Sequence, residues 1–150
     1  EKTEQEPSKI LGLIEDNQII PDYSMEISAL CTRVPVINGH TALVYLNFAN
    51  EVPSLDEIVK IWSEFTALPQ ELKLPSAPQP PIEFKVDPDR PQVGLDVDNG
   101  KGMAVSIGRL AEDKFFDIRF VALSHNTVRG AAGGAILTAE LLVEKGYIKG

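Results

Sequence analysis

His40 and Arg33 are the residues of this chain whose types and spacing most suggest chemistry. His40 follows Asn38-Gly39, a strong turn dipeptide, so the turn should deliver its side chain to the end of a strand rather than into a sheet's middle. An imidazole in that place can take and return a proton near neutral pH; the plainer alternative is a turn histidine bonded to backbone. Arg33 stands in the apolar stretch Met25 to Val36, and strand alternation would put it on the same side as Met25, Ile27, Ala29 and Cys31. A guanidinium in such a strand needs either an internal carboxylate or a bound anion. Cys31, beside it, invites a Cys-His nucleophile but reads more simply as a small buried hydrophobe.

A second segment, Ser124-His125-Asn126-Thr127-Val128-Arg129-Gly130-Ala131-Ala132-Gly133-Gly134, opens the last helix. Asn126 has the chemistry of a helix cap, and His125 reads as structural. The small residues that follow either serve helix packing or let a flat ligand or another backbone come close. They do not follow a strand in a βαβ unit, so they are not a dinucleotide fingerprint. Two histidines and one cysteine show no metal-ligand spacing, and Asp96, Asp98 and Asn99 lack the remainder of a calcium loop, which leaves that stretch as a solvated turn.

These residues need elements to position them. Leu55, Ile58, Val59, Trp62 and Phe65 recur at helical spacing behind Ser54 and Glu57, an S-x-x-E capping box, which predicts a helix over 54–66. Val128, Ala132, Ala135, Ile136, Ala139, Leu142 and Val143 keep one stripe and Gly146 offers a stop, which predicts a second helix over 127–145. Met25 to Val36 and Thr41 to Phe48 flank Asn38-Gly39 and should form a hairpin or near-neighbour pair. Gly102 to Leu110 and Phe115 to Leu123 flank Glu112-Asp113-Lys114 as a second hairpin, and Ile82 to Val86 is a shorter strand. Leu68 to Pro81 carries five prolines, which argues for an ordered surface loop, and the segment 87–100 is similar. Two helices beside hairpin-linked strands imply an α+β domain with a mostly antiparallel mixed sheet.

Composition sets the outer limits. A chain of 150 residues can bury one good core and is short for two. A formal net charge of -8 argues against a nucleic-acid or anionic-membrane surface, since tracking phosphates needs a Lys/Arg excess. One cysteine cannot form an internal disulfide and no stretch reads as a membrane span, so a soluble intracellular, cytoplasmic protein is the expectation. The start, Glu1-Lys2-Thr3-Glu4-Gln5-Glu6, lacks an initiator Met and a signal-peptide core, and reads as a cut end.

The segments Cys31-Thr32-Arg33-Val34-Pro35-Val36-Ile37-Asn38-Gly39-His40 and Ser124 to Gly134 together resemble the aspartate-semialdehyde dehydrogenase family, in its archaeal and fungal branch. The resemblance covers nearly all of the chain. It implies that residues 1–150 are the carboxy-terminal catalytic and dimerisation domain, with helices on one face of the sheet as in glyceraldehyde-3-phosphate dehydrogenase-like enzymes. An amino-terminal NADP-binding domain and the nucleophilic cysteine would lie outside them. It further implies that His40 is the general acid/base and Arg33 the clamp on the substrate carboxylate. Lys2, ahead of Lys9-Ile10-Leu11, would hold phosphate, and Asn126 would approach the nicotinamide of NADP. The implied partners are a small-molecule substrate and a second copy in a homodimer or higher homo-oligomer, and the chain alone should be inactive. A malonyl-CoA reductase paralogue and a non-catalytic dimerisation or ligand-binding module remain the alternatives.

Overall fold

The computed structural model describes residues 2–149, and the chain divides into two compact units, one ending at Pro35 and one starting at Val36. The first begins with helix α1 (Lys2–Ile10) and continues into strands β1 (Leu13–Glu15) and β2 (Gln18–Ile20), an antiparallel pair. Asp16 and Asn17 join them with φ of 48° and 61°. Positive φ at both central positions suits a two-residue hairpin, because its twist matches that of the strands. Extended chain follows, tied to α1 where the Ala29 amide donates to Glu4 Oε1 at 2.8 Å.

Met25 to Val36 contains no strand, so the expected pairing with Thr41 to Phe48 is not made. Gly39 has φ of 98° but Asn38 is not left-handed, and the tight turn that Asn-Gly favours needs both. Strand β3 (His40–Leu46) instead runs antiparallel to a strand near the end of the chain.

Three more strands complete the second unit's sheet: β4 (Ile82–Lys85), β5 (Val105–Glu112) and β6 (Ile118–Ser124). Their order is β3-β6-β5-β4, antiparallel except for the β4–β5 pair. The expected hairpin is β5–β6, closed by Asp113 Oδ1, which accepts the Phe115 and Phe116 amides at 3.0 and 3.2 Å.

Helix α2 (Leu55–Glu64) has the expected reciprocal cap: Glu57 N–H donates to Ser54 Oγ at 3.3 Å, and Ser54 N–H to Glu57 Oε2 at 2.8 Å. It packs on the sheet through Trp62, whose ring meets Phe120 edge-on at 5.0 Å and Phe84 at 6.1 Å. Ile58, Ile107, Ile118 and Leu123 are buried. The architecture is α+β with a mixed sheet, as the strand and helix pattern implied.

Both proline-rich stretches hold more structure than a loop. Leu68–Glu71 forms a one-turn helix, α3, since proline is tolerated in a first turn where its amide would have no partner. Val93–Asp96 forms another, α4, followed by a 3-10 turn, Asn99–Gly102.

The last helix opens with a π-turn, Val128–Ala132, and runs on as α5 (Gly133–Glu144). Its buried side is Leu137, packed with Leu74 and Met103 and flanked by Val128 and Leu141. The predicted stripe does not mark that side, for Ile136 and Val143 are exposed. The helix is apolar nearly all round, so periodicity alone could not choose its buried face. Among the described residues no helix is long and apolar enough to cross a membrane.

Candidate active site

His40 opens β3 opposite Ser124 and is exposed. No hydrogen bond or ion pair joins its imidazole to another described residue. The turn before it is held firmly. Gly39 is buried, and its amide donates to Asn126 Oδ1 at 2.9 Å. A Cβ on Gly39 would lie 3.3 Å from Leu123 Cδ1 and from both Val93 methyl carbons, so α4 and β6 close on this glycine from their own sides. Two sequence-predicted site residues, His40 and Asn126, are thus brought together through one intervening residue.

Asn126 is not the helix cap. His125 does that work: its Nδ1 accepts the Thr127 and Val128 amides at 3.2 and 3.1 Å, and its ring is buried. The expected capping chemistry is present but displaced by one residue, which frees the Asn126 side chain to reach Gly39. Having given Oδ1 to Gly39, Asn126 keeps two Nδ2 protons that meet no acceptor among the described residues. Nearby Gly130, Ala131 and Ala132 are exposed, and a Cβ on Gly130 would meet only the His125 carbonyl, at 3.6 Å. A half-buried amide donor beside a small, open surface fits the carboxamide and flat ring of a nicotinamide. Gly133 serves packing, since a side chain there would collide with Met103.

Arg33 and Lys2 lie in the first unit. Arg33 is exposed on extended chain, not buried in a strand, and no carboxylate pairs with it among the described residues. The internal ion pair weighed from the sequence is not made, which leaves the guanidinium available to an anion. Lys2 is exposed in the first turn of α1. Cys31 is exposed as well, 3.5 Å from Thr3 Oγ1, and not the buried hydrophobe expected. His40, Asn126, Arg33 and Lys2 line neither a 360 Å³ pocket in the first unit nor a 620 Å³ groove on the second unit's sheet.

Behind the His40 turn stands a feature that no local sequence pattern signals. Asp96, expected in a solvated turn, is 1% exposed. It pairs with the Arg90 guanidinium through both oxygens, accepts the Gln92 amide at 2.7 Å and lies 3.5 Å from Lys85 Nζ. Arg90's hydrogen bonds, with help from that amide and the Lys85 charge, hold the Asp96 carboxyl well below the usual carboxylate range. Asn99 links Asp96 to Ser106 on β5, so this network ties α4 to the sheet beside Gly39. Only Asp98 matches the solvated turn, with an 88% exposed side chain.

Comparison with known proteins shows the family to which this fold belongs. The family model for the semialdehyde dehydrogenase dimerisation domain matches residues 1–129. The chain belongs to that family. Its relatives in the family include the aspartate-semialdehyde dehydrogenase of Schizosaccharomyces pombe, 46% identical over 99% of this chain and 42% of that protein. The enzyme of the same name from Methanothermobacter thermautotrophicus is 43% identical over 96% of this chain. Malonyl CoA reductase (NADP) from Metallosphaera sedula is 43% identical over 98%. Among solved structures, the aspartate semialdehyde dehydrogenase of Candida albicans with NADP superposes with a TM-score of 0.89 at 43% identity, covering 98% of this chain and 42% of that one. The chain therefore spans 42% of the length of these relatives.

Proposed function

We propose that this chain is the C-terminal substrate-binding and dimerisation domain, residues 1–150, of a cytoplasmic, NADP-dependent aspartate-semialdehyde dehydrogenase. The parent enzyme would reduce β-aspartyl phosphate to aspartate semialdehyde and phosphate, on the route to lysine, threonine and methionine. The observation that carries the reading is the Gly39 link, which joins an unpartnered imidazole, His40, to the cofactor-side amide of Asn126 in a chain so similar to an enzyme solved with NADP.

In this reading a cysteine thiolate outside residues 1–150 attacks the acyl carbon, the carbon–oxygen bond to phosphate breaks, and a thioester remains. NADPH, when bound, supplies the hydride that reduces it. His40 donates a proton from an imidazole nitrogen to the carbonyl oxygen as that carbon is reduced. It then takes the proton back as the thiolate departs and the aldehyde forms. Arg33 holds the substrate carboxylate with parallel N–H···O bonds, Lys2 neutralises the phosphate, and Asn126 offers Nδ2 to the nicotinamide carboxamide.

The same domain would pair two copies. Leu43 is 71% exposed on the sheet, with Tyr45 on the same strand face tilted against Phe116 at 5.5 Å between ring centres, an apolar surface of the kind that self-association buries.

The test is NADPH formation by the full-length protein from aspartate semialdehyde and NADP, with and without phosphate. Turnover that depends on phosphate is expected, and its absence counts against the reading. Reduction of malonyl-CoA is the second reading, favoured by the 43% identity to the Metallosphaera protein. Both substrates carry a free carboxylate for Arg33, so contacts to the acyl phosphate on one side and to coenzyme A on the other would separate them.

A further inference from the structure

The buried imidazole of His125 takes part in no proposed reaction step, yet its hydrogen bonds lead to the turn that carries Asn126. Nδ1 accepts two backbone amides, from Thr127 and Val128, and the Thr127 hydroxyl lies 3.4 Å away. A ring nitrogen that accepts carries no proton, so the ring's proton sits on Nε2, which faces Asp98 Oδ1 at 3.8 Å. The ring also fills space that a side chain at residue 102 would need: a Cβ on Gly102 would come within 3.1 Å of its Cδ2. His125's own carbonyl accepts the Gly130 amide at 2.9 Å, the first of the long-period bonds that make the π-turn. One side chain and its carbonyl thereby fix the backbone on both sides of Asn126.

We infer that His125 is a positioning residue. Its neutral, Nε2-protonated ring sets the turn from which Asn126 reaches Gly39, and through Gly39 it fixes the start of β3 and the place of His40. The chain of contacts runs from His125 Nδ1 to the Thr127 and Val128 amides, along the backbone to Asn126 Oδ1, and on to the Gly39 amide. What the site requires of His125 is an acceptor at the Nδ1 position, a role distinct from filling volume. The inference rests on the proposed roles of His40 and Asn126 for its kinetic consequence, but not for its structural one.

The experiment compares two variants of the full-length protein. His125→Leu keeps bulk and removes the acceptor; His125→Asn puts a side-chain oxygen near the Nδ1 position. Peptide-resolved hydrogen exchange over 36–42 reads the Gly39 turn without any turnover. Steady-state kinetics with NADP reads the consequence for the site. His125→Leu is expected to speed exchange in 36–42 by about tenfold and to raise KM for NADP by a similar factor, with β5 exchange unchanged. His125→Asn should restore both to within about threefold of the starting protein. Unchanged exchange and KM in His125→Leu would overturn the inference. So would failure of His125→Asn to restore them, which also decides the matter if the leucine variant does not fold. Starting protein that turns over neither substrate, with these exchange changes intact, would sink the enzymatic reading and leave the positioning role standing.

Discussion

The Gly39 amide and the Asn126 side-chain oxygen, 87 residues apart in sequence, form a 2.9 Å hydrogen bond that joins the turn before His40 to the start of the last helix. The bond depends on backbone that only glycine adopts cheaply, since Gly39 has φ of 98°. Gly39→Ala is therefore expected to cost about 1–2 kcal/mol, because the left-handed region is strained for a residue with Cβ. Its new methyl must also press on Leu123 and Val93 at 3.3 Å. Urea denaturation measures the loss, and kcat should fall with it as His40 is displaced. An alanine variant of unchanged stability and rate would show that the turn does not need this conformation.

The Asp96 network makes a prediction about acid. Arg90 and its neighbours lower the folded-state pKa of this carboxylate, so the unfolded chain binds the proton more readily. The stabilisation is complete above about pH 5 and lost progressively as pH falls from there. Asp96→Asn leaves Arg90 and Lys85 without their buried partner and is expected to cost about 3–5 kcal/mol at pH 7. Equilibrium unfolding at pH 7 and pH 3.5 should show a smaller acid-induced loss in the variant than in the unaltered protein. Equal losses in both would place the acid sensitivity elsewhere.

Arg33 is exposed and lacks a protein carboxylate among the described residues, so substitution should spare the fold and strike substrate binding. Arg33→Lys keeps the charge but loses the two-pronged geometry. A fall in kcat/KM for aspartate semialdehyde of about 10- to 100-fold is expected, carried by KM, with the thermal midpoint unchanged. Wild-type KM would remove Arg33 from the carboxylate site.

For association, Leu43→Glu places a charge on the open sheet face, where Leu43 is paired in register with Val121 and has no core to lose. Sedimentation velocity on the full-length protein should show a dimer becoming a monomer, since a buried unpaired carboxylate costs several kcal/mol. A variant that still sediments as a dimer would move the interface to another surface.

Elements written in local chemistry were legible from the sequence. The Ser54/Glu57 box and the spacing of Ile58 and Trp62 define α2, and the polar Glu112-Asp113-Lys114 turn marks the β5–β6 hairpin. The partner of β3 was not legible, because a ladder between His40–Leu46 and Ile118–Ser124 is set by non-local pairing, while Asn38-Gly39 is a local cue that the structure uses differently. The true tight hairpin, at Asp16-Asn17, has short flanking strands with weak alternation. In the candidate site, the His40 and Asn126 segments stand out in the sequence by residue type, but the bond that joins them does not. Capping by His125 escaped because Asn126, the better capping residue by type, stands next to it. Asp96 escaped because a carboxylate among prolines and glycines resembles a solvated turn until Arg90 folds over it.

The most direct measurement compares the full-length protein and its His40→Asn variant, each assayed for phosphate-dependent NADPH formation from aspartate semialdehyde and for NADPH consumption with malonyl-CoA. The account predicts strong phosphate-dependent turnover of the semialdehyde, and a kcat lower by about 10²–10⁴ in the variant, the usual contribution of a positioned acid/base. Turnover of malonyl-CoA alone would contradict the substrate assignment, and a His40→Asn variant as fast as the unaltered protein would contradict the role given to the imidazole.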